Sequence, residues 1–441
     1  MFKKVLPLSS ILFLRFLGLF LVLPVLSVYA LSLKGATPLL VGVIVGGYAL
    51  TQAAFQIPFG SMSDRIGRKP TLFIGLVIFM IGSFIAGYAD NIYTLMLGRF
   101  LQGAGAIGSV VVAMISDLVE EKTRGHAMAI MGGFIAMSFA VAMIAGPVLG
   151  GMYGVGNLFY ITAGLSLLAM ILLFTKVPTP PKIVHIYNKK AKISEILKDK
   201  NLFNMVIVDS MQKGLMTMAF VLIPVFLTHA NYHFDWAKTE LWKVYVPAMV
   251  LGIAAMGPAA IFGEKYNKPK TIFLIAIVLF ILSFTIMGLT NSSLVFVVGV
   301  IFFFIAFNMM EPLVQSMISK FAKVHQKGTA LGIANTSAYL STFVGAMVAG
   351  IMMGMADRST IGISVAVVAF IWLLWMLFRF ENPTKHEFLF IPLSEVDMDK
   401  LKNLEHEHIA EWYINDTEKL AVIKYVSEKL TEDEIKAKIV K

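Results

Sequence analysis

Five charged residues lie inside long apolar runs of this 441-residue chain: Arg15, Arg99, Asp209, Lys213 and Glu311. A charged side chain is costly in lipid, so each of these residues is a candidate for function. Glu311 precedes a proline in a run rich in phenylalanine, and an apolar surrounding favours the protonated form of a carboxylate. Glu311 could therefore take up and release a proton, and an accessible carboxylate could also attract a cationic compound.

Simpler interpretations of the same charges remain open. Asp209 and Lys213 are four residues apart, so they share a helix face and could neutralise each other. Glu311 could be a structural partner of Arg15 or could mark a backbone kink. The sequence alone does not choose between these roles and proton transfer.

Uncharged polar and aromatic residues in the same runs are candidates for lining a substrate cavity. They are Tyr48, Gln52, Gln56, Asn308, Asn335 and Tyr339. The chain also contains 27 methionines and 34 phenylalanines, and soft or aromatic surfaces suit varied hydrophobic ligands. Most of these apolar side chains must nevertheless face lipid or pack between helices.

The elements that carry these residues are predicted to be membrane-spanning helices. Apolar residues make up 58% of the chain, charged residues only 15%, and the mean hydropathy is +0.78. Runs long enough to cross a bilayer lie at about 8–31, 39–60, 71–89, 92–117, 126–153, 157–176, 201–228, 242–262, 271–290, 294–319, 328–355 and 360–380. Because they lack the alternation of a barrel, an all-α polytopic membrane protein with twelve helices is expected.

The loop charges predict the orientation. Lysine and arginine concentrate in the loops on the side of the N-terminus, whereas the opposite loops carry only Lys34, Lys238, Lys243 and Arg358. This bias predicts that both termini are cytoplasmic. We expect the protein to lie in the inner membrane of the cell. The net charge of +10 then reflects topology and anionic lipid rather than nucleic-acid binding.

Three sequence motifs resemble those of the drug:proton antiporter branch of the major facilitator superfamily. The first is Gly60-Ser-Met-Ser-Asp64-Arg65-Ile-Gly67-Arg68-Lys-Pro, a short charged connection between the second and third runs. The second is Leu97–Gly105, which contains Arg99. The third is Gly146-Pro147-Val-Leu-Gly150-Gly151 in the fifth run, and within the family this motif is typical of exporters.

The resemblance implies roles for these residues. Arg68 would pair with Asp117, and Asp64 would face the positive end of the eleventh helix near Gly328 and Thr329. Together with Gly60, Arg65 and Gly67 they would form a latch that holds the outward-facing state. Pro147 and its neighbouring glycines would let the fifth helix bend and pack closely.

Arg99 has two possible roles. The resemblance implies that it takes part in proton coupling. Alternatively, it lies near Asp90 and could snorkel or form hydrogen bonds to neighbouring helices.

Internal similarity and composition predict the domain organisation. Lys69-Pro-Thr-Leu-Phe is echoed by Lys268-Pro-Lys-Thr-Ile-Phe, as expected for parallel six-helix repeats. The predicted units are an N-terminal half at 1–176, a linker with an amphipathic helix at 177–200, a C-terminal half at 201–383 and a soluble domain at 387–441. The order β-α-β-β-α predicts most of a ferredoxin-like domain, with the last strand either absent or unrecognised.

The motifs and the repeats together predict a secondary transporter that exports small hydrophobic or cationic compounds in exchange for protons by alternating access. The alternatives are a dedicated exporter of a sugar or amino acid, a membrane sensor that acts through its C-terminal domain, and a lipid-handling or scaffold protein. We expect no enzymatic activity and no cofactor beyond the proton gradient, since no phosphate-binding glycine loop is present. Without cysteine, and with His386, His406 and His408 best explained as surface residues, no metal site is expected. The C-terminal domain could bind a ligand or a protein partner.

Overall fold

Within the part of the chain that the structure describes, twelve helical spans are long and apolar enough to cross a membrane, as the sequence predicts. The structure is a computed structural model. It describes residues 2–178, 193–229, 234, 236–322, 327–382, 386–402, 404, 406, 408–415, 419–426 and 429–440. Most of the predicted linker therefore lies outside the described residues, apart from its C-terminal part.

The first six spans are built from eight helices. These are α1 (Phe2–Leu21), α2 (Leu23–Leu31), α3 (Pro38–Ile66), α4 (Arg68–Gly87), α5 (Ile92–Ala104), α6 (Gly108–Leu118), α7 (Glu121–Tyr153) and α8 (Val155–Thr175). The short helix α9 (Ile193–Lys198) follows in the linker. The first and fourth spans are each interrupted, which the continuous apolar runs did not predict. Proline at position 24 accounts for the first interruption, because it cannot donate a main-chain hydrogen bond.

The second six spans follow α9. They are α10 (Lys200–Thr228), α11 (Trp242–Ala260), α12 (Pro269–Leu289), α13 (Ser293–Phe321), α14 (Lys327–Met355) and α15 (Arg358–Arg379). A short 3₁₀ turn at Lys238–Glu240 precedes α11, and a π-helical turn at Ile261–Lys265 extends it. Each half is held together by its own helix pairs, such as α1 with α7 and α12 with α15.

Several helices extend beyond the apolar runs from which they were predicted. The helix α3 continues through the charged motif to Ile66, and α4 begins at Arg68. Gly67 alone separates them, with a φ of +99°. An L side chain rarely adopts this backbone conformation, so glycine permits the tight reversal. The apolar run marks only the part of a helix that lipid surrounds, and the helix itself can project further.

The two halves approach each other most closely at one end of the bundle. We call the end where α1 begins and α15 ends the terminal face, and the other end the opposite face. Close to the opposite face, α3 packs on α14 so tightly that a Cβ atom on Gly42 would lie 2.3 Å from the Ala346 oxygen. A Cβ atom on Gly350 would lie 2.5 Å from the Pro38 oxygen. Small residues therefore allow backbone to touch backbone in this seam.

Glycines on the other side of the midplane have different surroundings. A Cβ atom on Gly132 or Gly133 of α7, or on Gly332 of α14, would meet no atom within 4 Å. The contrast with Gly42 and Gly350 indicates that the bundle is tight toward the opposite face and looser toward the terminal face.

The C-terminal domain contains the predicted β-α-β-β-α order. Its elements are β1 (His386–Pro392), α16 (Met398–Lys402), β2 (Ile409–Asn415), β3 (Leu420–Val426) and α17 (Glu432–Ile439). The strands form one antiparallel sheet in the order β1-β3-β2. Among the described residues, this is the order of a ferredoxin-like sheet without its fourth strand. Before α16, Val396 forms an isolated bridge with Val440.

The sheet of this domain has two buried faces. Ala421, Ile423 and Tyr425 on β3 pack in a core with α16 and α17. Lys424 points to the other face and is only 5% exposed. Its ammonium lies 3.1 Å from the Lys320 oxygen and 3.3 Å from the Ala322 oxygen, at the end of α13. The domain is therefore docked on the terminal face.

Candidate transport site

A polar cluster lies where α10 and α13 face each other. Lys213 Nζ is 2.6 Å from one oxygen of Glu311 and 2.8 Å from the other. Gln212 Nε2 donates to Glu311 at 3.1 Å, and the Lys213 ammonium lies 5.1 Å from the centre of the Phe307 ring. Glu311 thus accepts hydrogen bonds from two neighbours on one helix.

This arrangement corrects two predicted pairings. Lys213 pairs with Glu311 on the facing helix rather than with Asp209 on its own helix. Glu311 does not pair with Arg15 either. The helix spacing pointed only to Asp209, but it is Glu311 on the facing helix that presents both carboxylate oxygens to Lys213.

Asp209 is left with an unusual environment. Its side chain is 1% exposed, and neither carboxylate oxygen has a hydrogen-bond partner among the described residues. Asp209 and Lys213 remain within electrostatic reach of each other. A buried carboxylate without a hydrogen-bond partner is costly when it is ionised.

A chain of hydrogen bonds links the first half to the second at the midplane. Arg15 NH2 donates to Gln52 Oε1 at 3.3 Å and to the Gly105 oxygen at 2.9 Å. Gln52 Nε2 in turn lies 2.7 Å from the Tyr339 hydroxyl on α14. Gln52 and Tyr339, both predicted cavity residues, are thus brought together across the two halves.

The Gly105 oxygen belongs to the interruption between α5 and α6. At Gly105 the backbone leaves the helical pattern, and Ala106 and Ile107 donate to the oxygens two residues before them. Arg15 holds this irregular segment to α1. The predicted motif at Leu97–Gly105 therefore contains a discontinuous helix, a feature associated with binding sites in transporters.

Arg99 lies inside the first half, away from Asp90. It is fully buried and donates to the Ile44 oxygen and, at 2.7 Å, to Gln102 Oε1. Its guanidinium lies 4.8 Å from the centre of the Tyr48 ring. Arg99 therefore does not snorkel to the surface, and the predicted hydrogen bond to a neighbouring helix is present, because Ile44 belongs to α3. Tyr48 packs on it and is itself 3% exposed.

The remaining cavity candidates have mixed surroundings. Asn308 is buried, donates to the Phe304 oxygen and faces Gly252 of α11, so it packs between two helices rather than lining a cavity. Asn335 accepts a long bond from Gln315 at 3.5 Å. Gln56 is partly exposed, and its main-chain oxygen accepts from Ser109.

A cluster of aromatic rings lies on the opposite-face side of the charges and was not predicted. Phe139 of α7 packs with Phe220 of α10 and Phe307 of α13, with ring centres 6.0 and 5.5 Å away. The contact joins the first half to the second. Among so many phenylalanines, nothing in the sequence distinguishes these three from lipid-facing rings.

The charged motif between α3 and α4 forms the predicted ion pair with α6. Arg68 Nε lies 2.9 Å from Asp117 Oδ2, and Arg68 NH1 lies 2.6 Å from both Asp64 Oδ1 and Ser63 Oγ. Ser63 was not predicted, although it lies inside the motif. Asp64 is 67% exposed, and its described ion pair is with Arg68 on the same loop. The surroundings of its predicted neighbour Gly328 lie outside the described part of the chain.

The glycine motif of α7 is a packing surface. A Cβ atom on Gly146 would lie 2.2 Å from the Leu21 oxygen, beside the interruption between α1 and α2. A Cβ atom on Gly151 would lie 3.2 Å from Cα of Thr239 in the second half. The helix continues through Pro147 without a break. Close approach, rather than an interruption of the helix, is therefore what this motif provides here.

A cavity of about 400 Å³ lies near the opposite face. Its lining includes Tyr29, Gly150, Tyr153, Asn157 and Lys238. It is separate from the midplane charges, and Gly150 is the one predicted site residue that lines it. Across the described residues, no group of three or more histidine or acidic side chains could hold a metal ion.

Comparison with known proteins agrees with this architecture. Residues 8–346 and 215–396 match the family model of the Major Facilitator Superfamily. The chain is 36% identical over 443 residues to the inner membrane transport protein YajR of Escherichia coli (strain K12), covering 98% of this chain and 96% of that protein. It is 25% identical over 379 residues to the quinolone resistance protein NorA of Staphylococcus aureus (strain MRSA252), covering 83% and 94%.

Solved structures share the fold. A bacterial homologue of the human lysosomal transporter Spinster, in an inward-facing and occupied conformation, superposes with a TM-score of 0.70 at 15% identity, covering 85% of this chain and 96% of that one. A D-xylose–proton symporter gives a TM-score of 0.70 at 16% identity, covering 87% and 99%. With its twelve spans and its family match over most of its length, the chain is a multi-pass membrane protein that belongs to the major facilitator superfamily of transporters.

Proposed function

We propose that this protein exports small hydrophobic or cationic compounds in exchange for protons. The observation that carries the proposal is Asp209, a buried carboxylate without a hydrogen-bond partner, one helical turn from the Lys213–Glu311 ion pair. The names of the relatives YajR, a transport protein, and NorA, a quinolone resistance protein, support transport and drug efflux.

The charges suggest how a proton would drive the cycle. With its proton bound, Asp209 is neutral and Lys213 stays with Glu311. When the proton leaves, the ionised Asp209 attracts Lys213 on the same helix face and weakens the hold on Glu311. A freed Glu311 carboxylate can then accept a cationic compound, so proton and substrate alternate at one site.

Alternating access requires that the site open to one side at a time. The loop charges predict that the terminal face is cytoplasmic, and the tight seam lies toward the opposite face. The Phe139–Phe220–Phe307 contact lies between the charges and that seam. This is the arrangement of an inward-open state, with Asp64 turned to Arg68. In the outward-facing state we propose that Asp64 meets the start of α14 and completes the latch.

The test is proton flux in liposomes that contain the purified full chain under an imposed pH gradient. A panel of lipophilic cations, amino acids and sugars is added in turn. We expect a cation to trigger proton movement in the wild type and this movement to be lost in Asp209→Asn and Glu311→Gln. Asp90→Asn, an exposed carboxylate in the loop before α5, is the matched control. Unchanged movement in Asp209→Asn would overturn the proposed proton site.

The same panel of compounds distinguishes drug export from the two alternative functions. A response to a sugar or amino acid alone would favour a dedicated metabolite exporter. The contact of Lys424 with the end of α13 favours a sensor, because it connects the C-terminal domain to the helix of Glu311. No flux from folded protein, together with a partner that binds only when this domain is present, would support the sensor.

A further inference from the structure

We infer that the cavity near the opposite face is a binding site for a small aromatic carboxylate, and that the bound carboxylate holds the two halves together on that face. The inference goes beyond the proposed function and does not depend on it, because none of the midplane charges lines this cavity. It concerns a ligand that stabilises one state of the protein rather than a compound that is transported.

The size and the walls of the cavity suit a compact organic molecule. Its volume of about 400 Å³ is within the range of small-molecule sites in proteins. The rings of Tyr29 and Tyr153 contribute aromatic surface, and aromatic rings pack favourably on one another. The other apolar lining residues are branched and aliphatic, namely Val25, Val28, Val155 and Leu241. A flat aromatic ligand therefore matches this lining.

Glycines contribute to the space inside the cavity. The lining includes Gly87 of α4, Gly150 of α7, Gly156 of α8, and Gly154 between α7 and α8. A Cβ atom on Gly154 would meet no atom within 4 Å, and one on Gly156 would lie at an ordinary 3.5 Å from the Gly87 oxygen. The missing side chains at these positions therefore leave room that a ligand can occupy.

The polar groups of the lining favour an anion. Among the described residues that line the cavity, Lys238 is the only charged one. Glu240 is held by Lys243, whose ammonium lies 2.8 Å from one of its oxygens. The Asn157 amide donates one hydrogen to the Tyr153 oxygen at 2.6 Å, and its second hydrogen remains for a ligand. An ammonium and an amide are donors that suit a carboxylate.

The walls of the cavity come from both halves of the bundle. Tyr29, Tyr153 and Asn157 belong to the first half, whereas Lys238 and Leu241 belong to the second. A separation of the halves on the opposite face would remove Lys238 from the aromatic wall. A ligand that contacts both walls therefore binds the state in which this face is closed, and it shifts the population toward that state.

Binding is tested with naphthoate as the probe, by isothermal titration calorimetry on the full chain in nanodiscs of neutral phosphatidylcholine. Naphthylmethanol has the same rings without the charge, and we expect it to bind about tenfold more weakly. Lys238→Gln is expected to weaken naphthoate binding by about tenfold as well. Lys34→Gln, at another exposed position of the opposite face, is the matched control and should leave the Kd unchanged.

A second variant separates the shape of the cavity from its charge. Val155→Phe places a larger side chain in the lining, so we expect it to weaken the binding of both naphthoate and naphthylmethanol. Lys238→Gln should weaken the binding of naphthoate alone. Thermal unfolding without a ligand checks that each variant is folded.

A cross-link between the halves reports the effect of the ligand on the closed face. The chain has no cysteine, and a Cβ atom on Gly151 would lie 3.5 Å from Cβ of Thr239, a separation that a disulfide can span. In the double variant Gly151→Cys and Thr239→Cys, we expect naphthoate to raise the initial rate of disulfide formation about threefold. Adding Lys238→Gln should abolish this increase.

Equal naphthoate affinity in the wild type and in Lys238→Gln, or no binding of naphthoate at millimolar concentration, would overturn the site. Binding without faster cross-linking would overturn the inference that the ligand holds the halves together. These measurements need neither a pH gradient nor a transported compound. The expected results would therefore sustain the site even if the proposed export function fails.

Discussion

The ammonium of Lys424 in the C-terminal domain and the main-chain oxygen of Lys320 in the helix bundle lie 3.1 Å apart. A cation at this end of α13 satisfies main-chain oxygens that have no partner within the helix and also complements the helix dipole. The last turn of the helix that carries Glu311 is thus held by a domain outside the membrane.

Removing this cation should release the domain. In Lys424→Met we expect docking to weaken by about 2 kcal/mol, the range of a hydrogen bond to a charged group. Main-chain amides of β3 and of the last turn of α13 should then exchange their hydrogens faster in deuterated water. Lys429→Met, at an exposed position of the same domain, should leave the exchange unchanged. If the amides exchange at the same rate in Lys424→Met and in Lys429→Met, Lys424 does not hold the domain on the bundle.

The latch should depend on its charges rather than on its shape. Asp64→Asn removes an ionic partner of Arg68 and the negative charge that we assign to the start of α14. We expect transport to be abolished while the amount of protein in the membrane stays normal, as measured by uptake into inverted vesicles and by immunoblot. Lys69→Gln changes an adjacent charge and should retain transport. Normal transport by Asp64→Asn would refute the latch.

Removing only one partner of the Lys213–Glu311 ion pair should destabilise the protein more than removing both charges. Lys213→Met leaves a partly buried carboxylate without its cation, and we expect a loss of stability of about 3 kcal/mol. Adding Glu311→Gln should restore much of this loss, since no uncompensated charge then remains. Thermal unfolding in detergent at constant protein concentration measures both effects. A double variant less stable than Lys213→Met would contradict this account.

The seam between α3 and α14 should not tolerate even one added methyl group at Gly42. Gly42→Ala would place a Cβ atom 2.3 Å from the Ala346 oxygen, so the halves must separate near the opposite face. The chain has no cysteine, so cysteines introduced at the exposed positions Glu120 and Tyr266, one in each half on the terminal side, can carry spin labels. The distance between the labels, measured by pulsed electron resonance, should become shorter in Gly42→Ala. Gly354→Ala is the control, because its Cβ would lie at an ordinary 3.5 Å from Pro38. The same label distance in both variants would show that the seam can adjust.

The sequence predicted the features that depend on the local pattern of residues, such as the membrane spans and the order of secondary-structure elements. The twelve apolar runs correspond to twelve helical spans among the described residues, and the predicted order of elements after residue 387 matches that of the small domain. The Arg68–Asp117 pair, which the family resemblance implies, is also present.

Contacts between distant helices were harder to predict. The spacing pointed to Asp209 as the partner of Lys213, whereas the partner in the structure is Glu311, about one hundred residues away. Spacing within one helix carries no information about such a contact. The interruption at Gly105 could not be predicted, because the residues around it are apolar or small, as they are in the rest of the run. Arg99 was expected near Asp90, yet the Gln102 oxygen inside its own helix is closer.

The seam between α3 and α14 contains no charged side chain in either of its strips, 38–46 and 343–354. Sliding such a surface moves no charge through the electric field of the membrane. Membrane voltage therefore does no work on the seam itself, whereas the ionic groups of the midplane cluster lie within the field. Under the proposed proton exchange, a change in the seam would alter the speed of the cycle without altering the gradient that drives it.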